Sequence, residues 1–390
     1  MTRQSCIFDI YFSRSNSTFT PPQQVACMTQ HRYAYLDGIR GLAAIFVLTR
    51  HIPFLNFNFY RSYLAVDLFF ILSGFVLAHA YDRKLREGMM SARRFMLIRA
   101  IRLYPVFLLS ALLSIVAAFA GAFSKHLDSF SHLADLSFAA LATIMLLPWP
   151  ASGNPSLFPI NGVYWSLFFE VLANFLYARC RFLLTGAVLA GVAFLAATGI
   201  VVLACCHGNL DAGFLWTWQD AGAGMLRSIF GISMGLLLYR QAPSLSRCFG
   251  RVSPWLIFPI VGIILASPAS PHLNWLIDVI CVCLIFPACV LIGARRPTST
   301  GETILLALGS ASYPIYVLHV PIAKMMSPVW ESVDAFAPYG GILFIVLLVM
   351  LSVGLERIYD VPVRRYLLGR LRKSRPADAA QGGFLTPAGG

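Results

Sequence analysis

Residues 33–54 read YAYLDGIRGLAAIFVLTRHIPF, and residues 62–81 read SYLAVDLFFILSGFVLAHAY. Each is about as long as the ~20 residues a helix needs to cross the ~30 Å hydrocarbon core of a bilayer. Similar apolar runs recur at 101–122, 162–178, 182–204, 224–239, 252–269, 273–293, 303–324 and 337–356, and the first two extend over 36–56 and 62–81. A shorter run lies at 133–148. The expected fold class is therefore all-α: a polytopic membrane helix bundle.

Composition agrees. Of 390 residues, 58% are hydrophobic and only 12% charged, with a mean hydropathy of +0.71. Soluble domains carry charged residues near ~25%, so a water-soluble enzyme, a disordered chain and a disulfide-stapled module are all excluded. Thirty Lys and Arg against seventeen Asp and Glu give a net charge of +13. These cations sit in short clusters between apolar runs, which argues against a nucleic-acid partner and fits the excess of Lys and Arg on cytoplasmic loops. The nine cysteines form no framework: Cys281, Cys283 and Cys289 share one apolar run, and the neighbours Cys205 and Cys206 would bridge only under strain. No residue is assigned to a metal.

Basic clusters at Arg83–Arg102, Arg179–Arg181, Arg240–Arg251, Arg295–Arg296 and Arg357–Arg375 share one side only if 133–148 does not cross. The expectation is ten spans with a re-entrant or half-buried segment at 133–148, both termini cytoplasmic, in the cell inner membrane. Eleven spans with a weakly specified orientation is the alternative. Residues 1–32 read as a polar, disordered extension without a secretory signal, and Met28 is an equally good start. Residues 33–368 form the transmembrane domain, and 369–390 a solvated tail.

Ionisable groups inside spans cost several kcal/mol and are functional candidates by default. In the first span Arg40 and His51 are eleven residues apart, about 20° apart around a helix and ~16 Å along it. Asp37 shares that stripe. Taken singly, these are a snorkelling arginine and a satisfied histidine. Asp67, near the outer end of the second span, is expected at the depth of Arg50 and His51, where a pairing would lower the cost of all three. Ser73 sits mid-span. Arg93, Arg94, Arg99 and Arg102 crowd the cytoplasmic mouth, either as topology signals or as a clamp for phosphates, to which Arg offers a fork of donors. Ser166 and Glu170 are one turn apart, with Trp165 at the outer interface, while Ser312, Tyr316 and His319 share a face. Glu356 falls at the inner interface. Gly231 and Gly235 form a GxxxG, which signals close helix packing.

Five segments in order, LDGIRGLAAIFVLTRH, VDLFFILSGFVLAHAY, RRFMLIRAIRLYP, YWSLFFEVLANFLY and LGSASYPIYVLHVPI, followed by a weaker ERIYDVPVRR, resemble the acyltransferase-3 family of integral-membrane acyltransferases. The resemblance covers about residues 33–368. It implies a ten-helix domain that moves acyl groups, usually acetyl, from cytoplasmic acyl-coenzyme A to a hydroxyl of an envelope glycan or other glycosylated acceptor. Arg40 and His51 match the family's Arg-x10-His pair, and Arg99 with Arg102 match its Arg-x-x-Arg before Tyr-Pro. Arg50 departs from the pattern, and no periplasmic SGNH-type domain is expected after the last span.

The residues suit that chemistry. A sugar hydroxyl needs a general base to attack a thioester, and imidazole, with an ordinary pKa of about 6.5, is suited to the task. The expected catalytic set is His51, Arg40 and Asp37. The expected substrate contacts are Arg93, Arg94, Arg99, Arg102, Asp67, Ser73, Trp165, Glu170, Tyr316 and His319. No permanently bound cofactor is expected, since acyl-coenzyme A is a substrate. The partners are that donor, the glycan acceptor and membrane lipids. The rival reading is a proton-coupled secondary transporter, which would show internal repeats and broken helices in matching halves. A lipid-linked-sugar glycosyltransferase would need a large first outer loop.

Overall fold

A computed structural model describes residues 33–373 except 53–54, 56–58, 125–128, 152, 246–250, 296–300, 327–328 and 330–334. The extension at 1–32, the alternative start at Met28 and most of the expected tail lie outside the described residues.

The described chain is a bundle of helices: α1 (Ala34–Arg50), α2 (Tyr60–Arg86), α3 (Ala92–Ser124), α4 (Phe130–Ile144), α5 (Tyr164–Cys180), α6 (Gly186–His207), α7 (Trp218–Leu245), α8 (Ile257–Ala266), α9 (Asn274–Gly293), α10 (Glu302–Met325), α11 (Tyr339–Leu355) and α12 (Val361–Lys373). Every expected span is helical. Among the described residues seven helical runs are long and apolar enough to cross a membrane: α2, α3, α6, α7, α9, α10, and α11 together with most of α12. The other three expected spans are shorter helices of 17, 17 and 10 residues, α1, α5 and α8. The first stops at Arg50, with His51 as its cap, rather than running to 56. Pro53 explains the early stop, because the residue before a proline is pushed out of helical geometry.

The segment 133–148 does not reverse the chain. Arg99 meets Glu170 while Ser110 meets Tyr164, so α3 and α5 run antiparallel. The intervening chain descends as α4, where the Tyr104 hydroxyl reaches the Ile144 carbonyl, and returns without a second helix. This is the re-entrant behaviour read from the charge pattern.

Two contacts set the bundle. Gly38, Gly41 and Gly309 let α1 and α10 approach, since a Cβ on Gly41 would lie 2.7 Å from the Leu308 backbone oxygen. Gly231 and Gly235 do the same between α7 and α2, as the GxxxG spacing suggested: a Cβ on Gly235 would lie 2.2 Å from the Ile71 carbonyl oxygen. Lipid supplies no hydrogen bonds, so prolines inside helices need protein partners. Pro321 leaves the Val317 carbonyl without its helical donor; the Ser110 hydroxyl and the Asn161 amide (3.3 Å) fill that place.

The α2–α7 crossing can be tested with two alanines. Gly235→Ala should cost about 1–3 kcal/mol through overpacking and lower the Tm of the detergent-solubilised protein. Gly262→Ala, with nothing within 4 Å of the new Cβ, should leave it unchanged. Equal melting curves for the two would place the close crossing elsewhere.

Candidate functional site: a polar cavity at the end of the first helix

α1 ends beside a cavity of about 260 Å³ whose walls come from several parts of the chain. Arg50 and His51 enter from α1, Tyr63 from the opening turn of α2, Trp165 from α5, Arg227 from α7 and Tyr316 from α10. Asp211 joins them from the α6–α7 connection. The mixture of aromatic faces with a few convergent charged groups is that of a small-molecule site.

His51 is exposed toward this space, because the helix stops just before it. The stripe read from the sequence is real and faces α10. At its lower end Arg40 donates to Asp37 (2.8 Å), to the Gly309 carbonyl (2.8 Å) and to Ser312 (2.9 Å). At its upper end the His51 ring lies 5.1 Å, centroid to centroid, from His319. Arg40 is thus about 16 Å and Asp37 about 21 Å below His51, and neither reaches the cavity; they fasten α1 to α10. His319 is 0% exposed and sits behind His51 rather than in the lining, so it is not placed to touch a ligand in the cavity.

Asp67 requires a correction. It pairs neither with Arg50 nor with His51, but holds Arg227 through two bonds of 2.9 and 2.6 Å, both side chains being 1% exposed. The glycine contact between α2 and α7 turns Asp67 toward α7, leaving Arg50 to pair with Asp211. Arg227 also donates to the Ala212 carbonyl and lies 5.3 Å over the Trp165 ring. Trp165, in the first turn of α5, is buried in the wall.

Ser73, Arg99 and Glu170 do come together. Ser73 donates to Glu170 at 2.6 Å and Arg99 at 2.7 Å, joining α2, α3 and α5. Arg99 is buried and spends its charge on Glu170, so it is no open phosphate clamp. Of its neighbours, Arg93 and Arg102 are exposed and Arg94 is half-buried. One turn along α5 from Glu170, Ser166 meets the Tyr316 hydroxyl at 2.5 Å. Glu356 lies half-buried beyond α11. Among the described residues no three His, Cys, Asp or Glu side chains converge as a metal site would need.

Several residues escaped the sequence reading. Arg227 and Asp211 shape the cavity, while Asp278 accepts from Tyr63 (2.7 Å) and faces Arg61 at 3.4 Å. Arg227 and Asp278 each stand in an apolar run, which is itself the signal of use; they lie outside the motif segments that drew attention elsewhere.

The Asp67–Arg227 pair makes a prediction. Arg227→Ala strands a buried carboxylate and should cost about 3–5 kcal/mol, seen as lost monodisperse protein in detergent. Asp67→Asn with Arg227→Gln, which removes both charges, should recover much of it. Failure of that double variant to fold better than Arg227→Ala would show that the pair's charge is not what makes the single change costly.

Comparisons with known proteins identify the family. Residues 33–356 match the acyltransferase-3 family model, described as an acyltransferase domain. A curated relative, "Protein 2 in picA locus" of Rhizobium radiobacter, is 41% identical over 157 residues, covering 38% of this chain and 82% of the relative. No solved structure matches. The match disfavours the transporter reading. The chain belongs to the acyltransferase-3 family and is a membrane acyltransferase.

Proposed function

We propose that this acyltransferase is an O-acyltransferase of the cell inner membrane, with both termini cytoplasmic. It moves an acyl group, acetyl in the usual case, from cytoplasmic acyl-coenzyme A to a hydroxyl of a cell-envelope glycan or glycosylated acceptor. The observation that carries this reading is His51: an imidazole presented to a cavity walled by aromatic rings and guanidinium groups. A sugar fits such walls, its apolar face on Trp165 or Tyr316 and its hydroxyls within reach of charged neighbours.

In the step we envisage, a His51 ring nitrogen takes the proton from the acceptor hydroxyl as its oxygen bonds to the thioester carbon. Negative charge gathers on the carbonyl oxygen, where the guanidinium group of Arg50 is the donor suited to stabilise it. The C–S bond then breaks, and the departing thiolate takes the proton from His51. No permanently bound cofactor is needed. The donor's phosphates are assigned to Arg93, Arg94 and Arg102 at the opposite, basic end of the bundle. Arg99 serves that end indirectly, by holding Glu170 and Ser73.

Mass spectrometry of envelope glycans tests the reading. Cells lacking the protein, or carrying His51→Ala, should lose one acyl mass per modified sugar, while His51→Ala membranes still bind acetyl-coenzyme A. Unchanged glycans in the deletion strain would overturn the acceptor class, and a fully active His51→Ala would remove the base. Arg93→Gln with Arg102→Gln should weaken donor binding, more so as salt screens the remaining charges. Arg99→Gln should instead lower the yield of folded protein.

A further inference from the structure

We propose that His319 is the positioning residue for His51: its buried Nε2 accepts the His51 ring N–H and so aims the other His51 nitrogen at the acceptor hydroxyl. The inference rests on the reading of His51 as the base and assigns the group that holds it.

A general base works only when something fixes its ring and its tautomer, usually a hydrogen bond to the nitrogen that does not take the proton. The His51 ring has no hydrogen bond to any described residue, and its ring neighbour is His319. His319 has the complementary vacancy. Its Nδ1 lies 3.1 Å from the Ile315 carbonyl of its own helix. A carbonyl oxygen only accepts, so Nδ1 carries the proton and the neutral ring keeps its lone pair on Nε2. That Nε2 is buried without a partner, an unfavourable state for a polar group. Two imidazoles joined by an N–H···N bond of about 2.9 Å have centroids roughly 5 Å apart, and these stand at 5.1 Å. The exposed His51 ring is free to turn one of its nitrogens toward that lone pair.

The partner is itself held. α1 and α10 run parallel in contact, clamped below by Arg40 on Gly309 and Ser312, so the two rings cannot drift apart. Tyr316, one turn below His319, is tied to Ser166. During transfer His51 accepts the hydroxyl proton on its free nitrogen while its other N–H stays on His319, and the same proton leaves with the coenzyme A thiolate. His319 gains and loses none.

The test measures acyl transfer from radiolabelled acetyl-coenzyme A into the envelope fraction, using membranes of producing cells and full-length variants matched for folded protein. His319→Leu, which removes the acceptor, should lower kcat on the order of 10²-fold with the KM for acetyl-coenzyme A unchanged. His319→Gln puts an amide oxygen near the Nε2 position and should restore part of that loss. His319→Asn, whose amide reaches only the Nδ1 position, should not. If His319→Leu does not fold, the Gln-against-Asn contrast decides. Wild-type kcat in His319→Leu, or equal activity in the Gln and Asn variants, overturns the proposal. His51→Ala separates the two levels: if it is inactive while His319→Leu is fully active, the base stands and its positioning residue falls.

Discussion

The bidentate pair of Arg227 with Asp67 is the contact on which the cavity depends. Neither group has water to fall back on, and each costs several kcal/mol to bury alone. Their bond therefore fixes the rotation of α7 against α2, and the close approach at Gly231 and Gly235 fixes the distance. Once set, the guanidinium holds the α6–α7 connection through Ala212 and flattens Trp165 beneath it. Three walls of the cavity follow from one ion pair.

A second constraint acts along α10. Successive turns of that helix carry Gly309 and Ser312, which hold Arg40; Tyr316, which meets Ser166; and His319, which stands behind His51. α10 thus acts as a ruler that sets how far α1 projects and where its last residue points. Its prolines do not break it, because α3 and the chain before α5 satisfy the carbonyl that Pro321 frees. Buried polar groups that look expensive one at a time are the fasteners of a bundle in which apolar contacts alone distinguish little between protein and lipid.

Much of this was legible in the sequence, and the legible part has a physical reason. Span positions, the non-crossing segment before α5 and the α1 stripe depend on local periodicity and on charge asymmetry between loops, which a single chain displays directly. The contact faces of Gly231 with Gly235, and of Ser312, Tyr316 and His319, follow from helical spacing for the same reason. Partner choice does not. Depth along the membrane suggested Asp67 for Arg50 and His51, yet depth says nothing of azimuth, and it is the rotation of α2 toward α7 that gives Asp67 to Arg227. Arg99 misled in the same way: its cluster reads as an open cationic mouth, but its position on α3 turns it inward to Glu170 while Arg93 and Arg102 stay exposed.

Arg50 shows how such a bundle accommodates a cation beside its candidate base. A cation beside the candidate base is a poor neighbour, because in surroundings less polar than water its field acts at full strength over a few ångströms. The chain answers with Asp211, brought from the α6–α7 connection onto Arg50, and with the Tyr63 ring 5.5 Å below the guanidinium. His51 then faces an ion pair instead of a lone charge. Arg50 and Asp211 remain partly exposed and both line the cavity. The arginine next to the histidine is thus balanced by a carboxylate from a different part of the chain, the same loop that Arg227 holds in place.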